Sequence, residues 1–217
     1  MCAKKYRTIV VDPPWNQSMT GKWQRRPNRA TALPYQVMSL QEIAALPVGE
    51  LAADDCHLWL WTTNQYLRDG FDIMLAWGFK YLAPITWIKP SGLGNWFVHR
   101  TQTCLFGYRR KCVFPNKRYL PNIIEAPAGK HSAKPEASYT YIESVSAAPR
   151  LELFARQERH GWDVWGNEVP CSIELGAQNT MESGSTAYNS QSTQCGWCGH
   201  QLEANFGCLN SACAESD

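Results

Sequence analysis

In TIVVDPPWNQ, residues 8–17, an apolar, β-branched run meets a carboxylate, two prolines and a tryptophan. Ile9, Val10 and Val11 read as a buried strand. The prolines stop it, because proline fixes φ and has no N–H to give a sheet ladder. Strand termination accounts for Pro13 and Pro14 but does not call for Asp12. That acid falls at the carboxyl end of the strand, where open α/β sheets keep their ligand crevices, so it is the first candidate functional residue.

The chain has 217 residues and is 44% hydrophobic, enough for one ordinary domain with room for a small appendage. No apolar run approaches the length of a membrane span, and the opening MCAKKYR lacks the apolar stretch of a signal peptide; the expectation is a cytoplasmic protein with no membrane partner. A formal net charge of +2 is too small to indicate a nucleic-acid partner, so local clusters matter more than the sum. KWQRRPNR (residues 22–29) and YRRKCVFPNKR (residues 108–118) both mix cations with aromatics, as single-strand surfaces do.

Outward from the first strand, MSLQEIAALPV carries Ser39 and Glu42 at capping-box spacing, so a helix starts there. HLWLWTT (residues 57–63), KYLAPITWIKP (residues 80–90) and TCLFGYRR read as three further strands. Between the first two of these lies a helix whose apolar side is read as Leu67, Phe71, Met74, Leu75 and Trp77. NIIEA is a strand, a helix begins near Pro135, and RLELFAR and WDVWGNE close the series as strands. Strands alternating with helices predict a layered α/β sheet. From Val169 the composition turns to Ser, Thr, Gln, Gly and Asn without periodicity, giving a domain over residues 1–169 and a linker over residues 170–194.

Asp12 offers carboxylate oxygens, Pro13 and Pro14 offer carbonyls with no competing N–H, and Trp15 offers a flat face. That set suits a planar substrate bearing an NH2 group. The exocyclic amine of adenine is a poor nucleophile, because its lone pair is conjugated into the ring. Acceptors that bind it as it pyramidalises stabilise the transition state over the flat ground state. Methyl transfer from a sulfonium donor then requires mainly in-line positioning.

With this motif and five further blocks in order, LPYQVMSLQEI, HLWLWTTN, WGFKYLAPITWIKP, HSAKPEASY and RLELFARQERHGWDVWGNE, the chain resembles the MT-A type N6-adenine methyltransferases. The resemblance implies a Rossmann-like sheet with helices on both faces and methyl transfer from S-adenosylmethionine to N6 of adenine in nucleic acid. It further implies that Asp12, Pro13, Pro14 and Trp15 hold the target amine and base, with Asp12 also near the donor's methionine end. Tyr35 would border the target-base pocket, and Lys134 would face the donor's carboxylate or the target. Glu152 and Arg156 would engage the donor's ribose and the neighbouring loop, and Asn167 with Glu168 would lie beside its ribose and adenine. DNA is the first-choice substrate. RNA, or a catalytically silent nucleic-acid-binding subunit of the same fold, are the alternatives, and the intact DPPW favours an active enzyme.

Of nine cysteines, Cys2, Cys56, Cys104, Cys112 and Cys171 are scattered and read as buried or free thiols. Cys195 and Cys198, then nine residues, then Cys208 and Cys213, form a CxxC-led set with the look of a zinc ribbon over residues 195–217. So short a segment has almost no core, so ordering it would take a structural zinc ion.

Overall fold

The computed structural model describes residues 4–16, 37–93, 96–115, 119–129 and 133–175, all within the compact unit Met1–Gly176. Seven strands form one sheet: β1 (Tyr6–Val11), β2 (Ala52–Thr62), β3 (Lys80–Leu93), β4 (His99–Tyr108), β5 (Ile123–Glu125), β6 (Arg150–Leu153) and β7 (Trp162–Trp165), in the order β5-β3-β4-β2-β1-β6-β7. β1 pairs in parallel with β2 on one side and β6 on the other, β6 pairs in parallel with β7, and β4 runs antiparallel to both its neighbours.

The alternation of side chains along a strand gives the sheet two apolar faces. Ile9, Val11, Leu58, Leu60, Leu105, Leu151 and Leu153 fill one with residues of α1 (Leu40–Ala44), α2 (Val48–Leu51) and α3 (Leu67–Ala76). Val10, Trp59, Trp61, Ile85, Trp87 and Phe106 fill the other, beneath Tyr139 and Ile142 of α4 (Glu136–Val145). The chain therefore leaves β1 by helices on one face and reaches β6 by a helix on the other. Connections of opposite sense meet at β1 and β6, which makes the gap above their carboxyl ends the switch-point crevice.

The local signals mostly hold. Ser39 caps α1 in a complete capping box, its hydroxyl accepting from Glu42 N at 3.2 Å and its own N–H donating to Glu42 Oε2 at 2.7 Å, a device worth about 1 kcal/mol. Pro135 stands at the N-cap of α4.

The apolar side of α3 differs from its reading. Phe71 and Leu75 are 38% and 73% exposed, and the buried residues are Gly70, Ile73 and Met74, with Trp77 just beyond. β2, β3 and β4 run longer than read, while β5, β6 and β7 are shorter. β3 continues past Pro90, and its Pro84 pairs with Leu105 of β4 before β5 joins at Thr86, so the missing N–H faces no partner strand. Packing continues past Val169 as well: Ser172 N donates to Val164 O at 2.8 Å, Ser172 Oγ accepts from Val164 N at 3.1 Å, and Ile173 and Leu175 lie against the core. None of the described helices is long and apolar enough to cross a membrane.

Candidate active site

Asp12 leaves the end of β1 on the α4 side of the sheet. Its Oδ2 accepts from Lys134 Nζ at 2.5 Å, and Lys134 precedes the N-cap of α4, so an ion pair closes the crevice between a strand end and a helix start. The Lys134 side chain is only 6% exposed and its ammonium sits 5.3 Å from the Trp61 ring centroid, which excludes a solvated surface lysine. Partial burial with an aromatic wall fixes the carboxylate where an exposed pair would be screened and mobile.

The acceptor loop is more committed than its sequence implies. Pro13 O already accepts from Trp15 N at 2.8 Å and Pro14 O from Met38 N at 3.1 Å, so each carbonyl has one lone pair left to offer. Trp15 is 2% exposed, stacked on Tyr66 at 5.2 Å and 15°, with Nε1 donating to Trp61 O at 3.0 Å. This corrects the open stacking face read from the sequence: the indole is an anchor that fixes the backbone of Asp12, Pro13 and Pro14. Tyr66 completes the clamp by donating its hydroxyl to Asn16 O.

Across the crevice, Glu152 lies opposite Val10 in the β1–β6 register and is 7% exposed. Its Oε1 accepts from Tyr139 OH at 2.6 Å, and its Oε2 is buried with no hydrogen-bond partner among the described residues. Burial raises the Glu152 pKa, against the lowering influence of the Tyr139 hydroxyl and the Arg159 charge. Arg159 stacks its guanidinium 3.6 Å from the Tyr139 ring centroid and grips Glu136 with two nitrogens at 2.5 and 2.9 Å. The line Glu136–Arg159–Tyr139–Glu152 thus holds an acceptor with a vacant lone pair, the chemistry a ribose hydroxyl or an amine requires. On the neighbouring rim, Phe154 ends β6 with φ 65°, and a Cβ on Gly166 would collide with the Ala155 backbone. That close approach sets Arg156 beside Glu168, Nε to Oε1 3.9 Å, with Asn167 exposed between the two loops.

The structure therefore brings Asp12, Lys134 and Glu152 into one electrostatic neighbourhood, with Arg156, Asn167 and Glu168 at the ends of the next strands. Tyr35, the cluster at residues 22–29, and Cys195, Cys198, Cys208 and Cys213 lie outside the described residues. Of the cluster at residues 108–118, residues 116–118 lie outside the described residues and the rest lie elsewhere: Tyr108 ends the antiparallel β4 opposite His57 of β2, toward the other end of the strands from Asp12. There Arg109 donates to the carbonyls of Gly49 and Ala52, and Arg110 pairs with Asp54 at 3.4 Å. Sequence reasoning missed Tyr66, Lys89, Tyr139 and Arg159. A second lysine near Asp12, Lys89 stands 4.4 Å over the Trp87 ring, with its pKa lowered by burial and by Lys134. Among the described residues no group of His, Cys, Asp or Glu could hold a metal ion.

An acid-bearing acceptor loop and a buried, half-used carboxylate on adjacent strands, facing each other across a switch point, define a Rossmann-like methyltransferase. The sequence profile of MT-A70 matches residues 6–168, and the chain belongs to that family of adenine-N6 methyltransferases. It is 28% identical over 200 residues to the Type II methyltransferase M.MunI of Mycoplasma sp, covering 82% of this chain and 84% of that one. It is 30% identical to the N(6)-adenine-specific methyltransferase METTL4 of Mus musculus over 77% of this chain and 38% of that protein. It is 28% identical to the N(6)-adenosine-methyltransferase catalytic subunit METTL3 of Homo sapiens over 76% and 28% respectively.

Proposed function

We propose that the chain transfers methyl from S-adenosylmethionine to N6 of an adenine in DNA, with Asp12 as the acceptor that holds the target amine. The observation that carries this is the Asp12–Lys134 pair at the switch point, facing the vacant oxygen of Glu152. The mycoplasma Type II enzyme, which this chain matches along most of both lengths, supports DNA over RNA.

When bound, S-adenosylmethionine supplies a methyl group on a positively charged sulfur. Glu152 Oε2 would take a donor hydroxyl, while Arg156, Asn167 and Glu168 would border the donor's ribose and adenine. The Lys134 ammonium holds the Asp12 carboxylate in place, and its remaining hydrogens would be offered to the donor's own carboxylate. Asp12 Oδ1 and the free lone pairs of Pro13 and Pro14 accept from the NH2 group. Trp15, clamped by Tyr66 and Trp61, prevents that acceptor loop from relaxing, so its dipoles require no reorganisation when the nitrogen pyramidalises. By the family resemblance, Tyr35 would border the target-base pocket. Cys195, Cys198, Cys208 and Cys213 bind one structural zinc ion, a reading supported by their spacing; metal analysis of the purified chain should find one zinc per chain, and none after all four are replaced by Ser.

Defined DNA and RNA oligonucleotides, incubated with donor and digested to nucleosides for mass spectrometry, test the main reading. N6-methyladenine should appear in DNA, and Asp12→Asn should reduce turnover at least 100-fold while calorimetry still detects the donor. Product in RNA alone would move the assignment to RNA. A chain that binds no donor would be a silent subunit.

A further inference from the structure

Beyond the level of Asp12, β3 and β4 continue as a two-stranded arm. Val11 is level with Leu60, and Leu60 with Leu105, so Asp12 stands level with Cys104, two strands away across β2. From Cys104 back to His99, at about 3.4 Å per residue, β4 carries the arm about 17 Å further out. At its end Trp96, Phe97 and Val98 are 94%, 78% and 63% exposed. Residues 88–101 contain Lys89, His99 and Arg100 and no acid. The arm is braced: Arg100 Nε donates to Lys89 O at 2.9 Å, Asn64 Nδ2 lies 3.0 Å from His99 Nδ1, and a Cβ on Gly92 would strike the His99 carbonyl.

Two large rings held open to solvent on a stiff, purely cationic arm, at the catalytic end of the sheet, match the combination that binds unpaired nucleotides: aromatic faces for bases and cations for phosphates. We propose that the β3–β4 arm is a stacking platform for nucleotides that flank the target adenine, with Trp96 and Phe97 taking bases and Arg100 a phosphate. At 3.4 Å per nucleotide along one strand, 17 Å corresponds to about five positions, so the arm grips the substrate strand well away from the reacting amine. This rests on the nucleic-acid reading above and adds the surface that holds the strand. It also takes the place of residues 108–115, which the topology puts toward the other end of the strands from Asp12.

The test uses the full chain and a fluorescein-labelled single-stranded DNA of about 15 nucleotides with one central adenine, with binding followed by anisotropy. Trp96→Ala and Phe97→Ala should each weaken binding about 10-fold, the ordinary worth of a stacked base. Donor affinity by calorimetry and the melting temperature should stay at wild-type values, and the loss should appear in KM with kcat at saturation unchanged. Trp96→Tyr should restore most of the affinity. Arg100→Ala should lower the slope of log affinity against log salt by about 0.7. Alanine variants that bind the oligonucleotide like wild type overturn the platform, even if methylation proceeds. Sedimentation in which the variants lose only self-association also overturns it, making the arm a contact between copies. If wild type binds donor but no oligonucleotide, the platform and the polymer substrate both fall while the methyltransferase assignment stands.

Discussion

Glu152 carries opposed demands in one side chain. Its buried, unbonded oxygen is what a donor hydroxyl needs, and it disfavours the charged form until something occupies it. Because the folded pKa is raised above the unfolded one, the stability linked to this group is full below the unfolded value near pH 4.3 and is lost as pH rises through the folded value. Glu152→Gln keeps an acceptor for Tyr139 and removes the charge. Its melting temperature should therefore fall less than that of wild type between pH 5 and pH 8, while donor affinity by calorimetry drops at least 10-fold. His57 has the opposite sign. It is 1% exposed, packed on Phe106 and Phe114, with Nδ1 2.8 Å from Ser146 Oγ, and burial pushes its pKa down to about 4. The unfolded chain takes up a proton below pH 6.5 that the folded chain refuses until about pH 4. Stability should thus fall by about 3 kcal/mol across that window, read by urea unfolding, and His57→Gln should flatten the fall. Asp12 was legible as a functional acid because an acid after a strand has no structural duty there. Lys134 and Glu152 were named only through the family resemblance and Tyr139 not at all: all three lie far along the chain, and no local spacing announces that a helix start and a distant strand will meet Asp12.

At the scale of elements, the capping box of α1 and the N-cap of α4 were readable because both are written within a few consecutive residues. The inner face of α3 was not, because large side chains were taken as the mark of burial. The helix lies so close to the sheet that glycine faces it: a Cβ on Gly70 would come 2.5 Å from Thr62 Cγ2 and 3.1 Å from Leu105 Cδ1. Alanine would gain about 1 kcal/mol of helix propensity, but pushing a stiff, β-branched threonine aside costs about 1–3 kcal/mol. Gly70→Ala should therefore lower the unfolding free energy by a net of about 1 kcal/mol, read as a lower urea midpoint with no change in the slope. The position of Arg109 and Arg110 was hidden for a different reason. Composition identifies a strand without its direction, and β4 is antiparallel, so these chemically apt cations land toward the end of the strands away from Asp12.

For the whole molecule, the compact unit runs to Gly176 because Ser172 extends the ladder of β7 and Ile173 and Leu175 cover the core. A chain ending at Gly176 should melt like the full chain and bind donor equally well. One ending at Val169 loses two hydrogen bonds and two partly buried side chains, about 2 kcal/mol, and should melt about 4–8 °C lower by calorimetric scan. The alternation of strands and helices gave the α/β layering away; the strand order did not, since pairing between β1 and β6 is a long-range choice made by the closing of the sheet. That pairing also sets a timetable for the newborn protein. β1 is made before the other strands of the sheet, yet one of its edges stays bare until Arg150–Leu153 has been synthesised. At ribosomal speeds of about 5–20 residues per second, that is a wait of roughly 7–28 s. Through that interval the nascent chain displays an unpaired apolar strand and has no crevice, so donor capture begins only when nearly the whole unit has been translated, and a chaperone that shields strand edges would raise its yield.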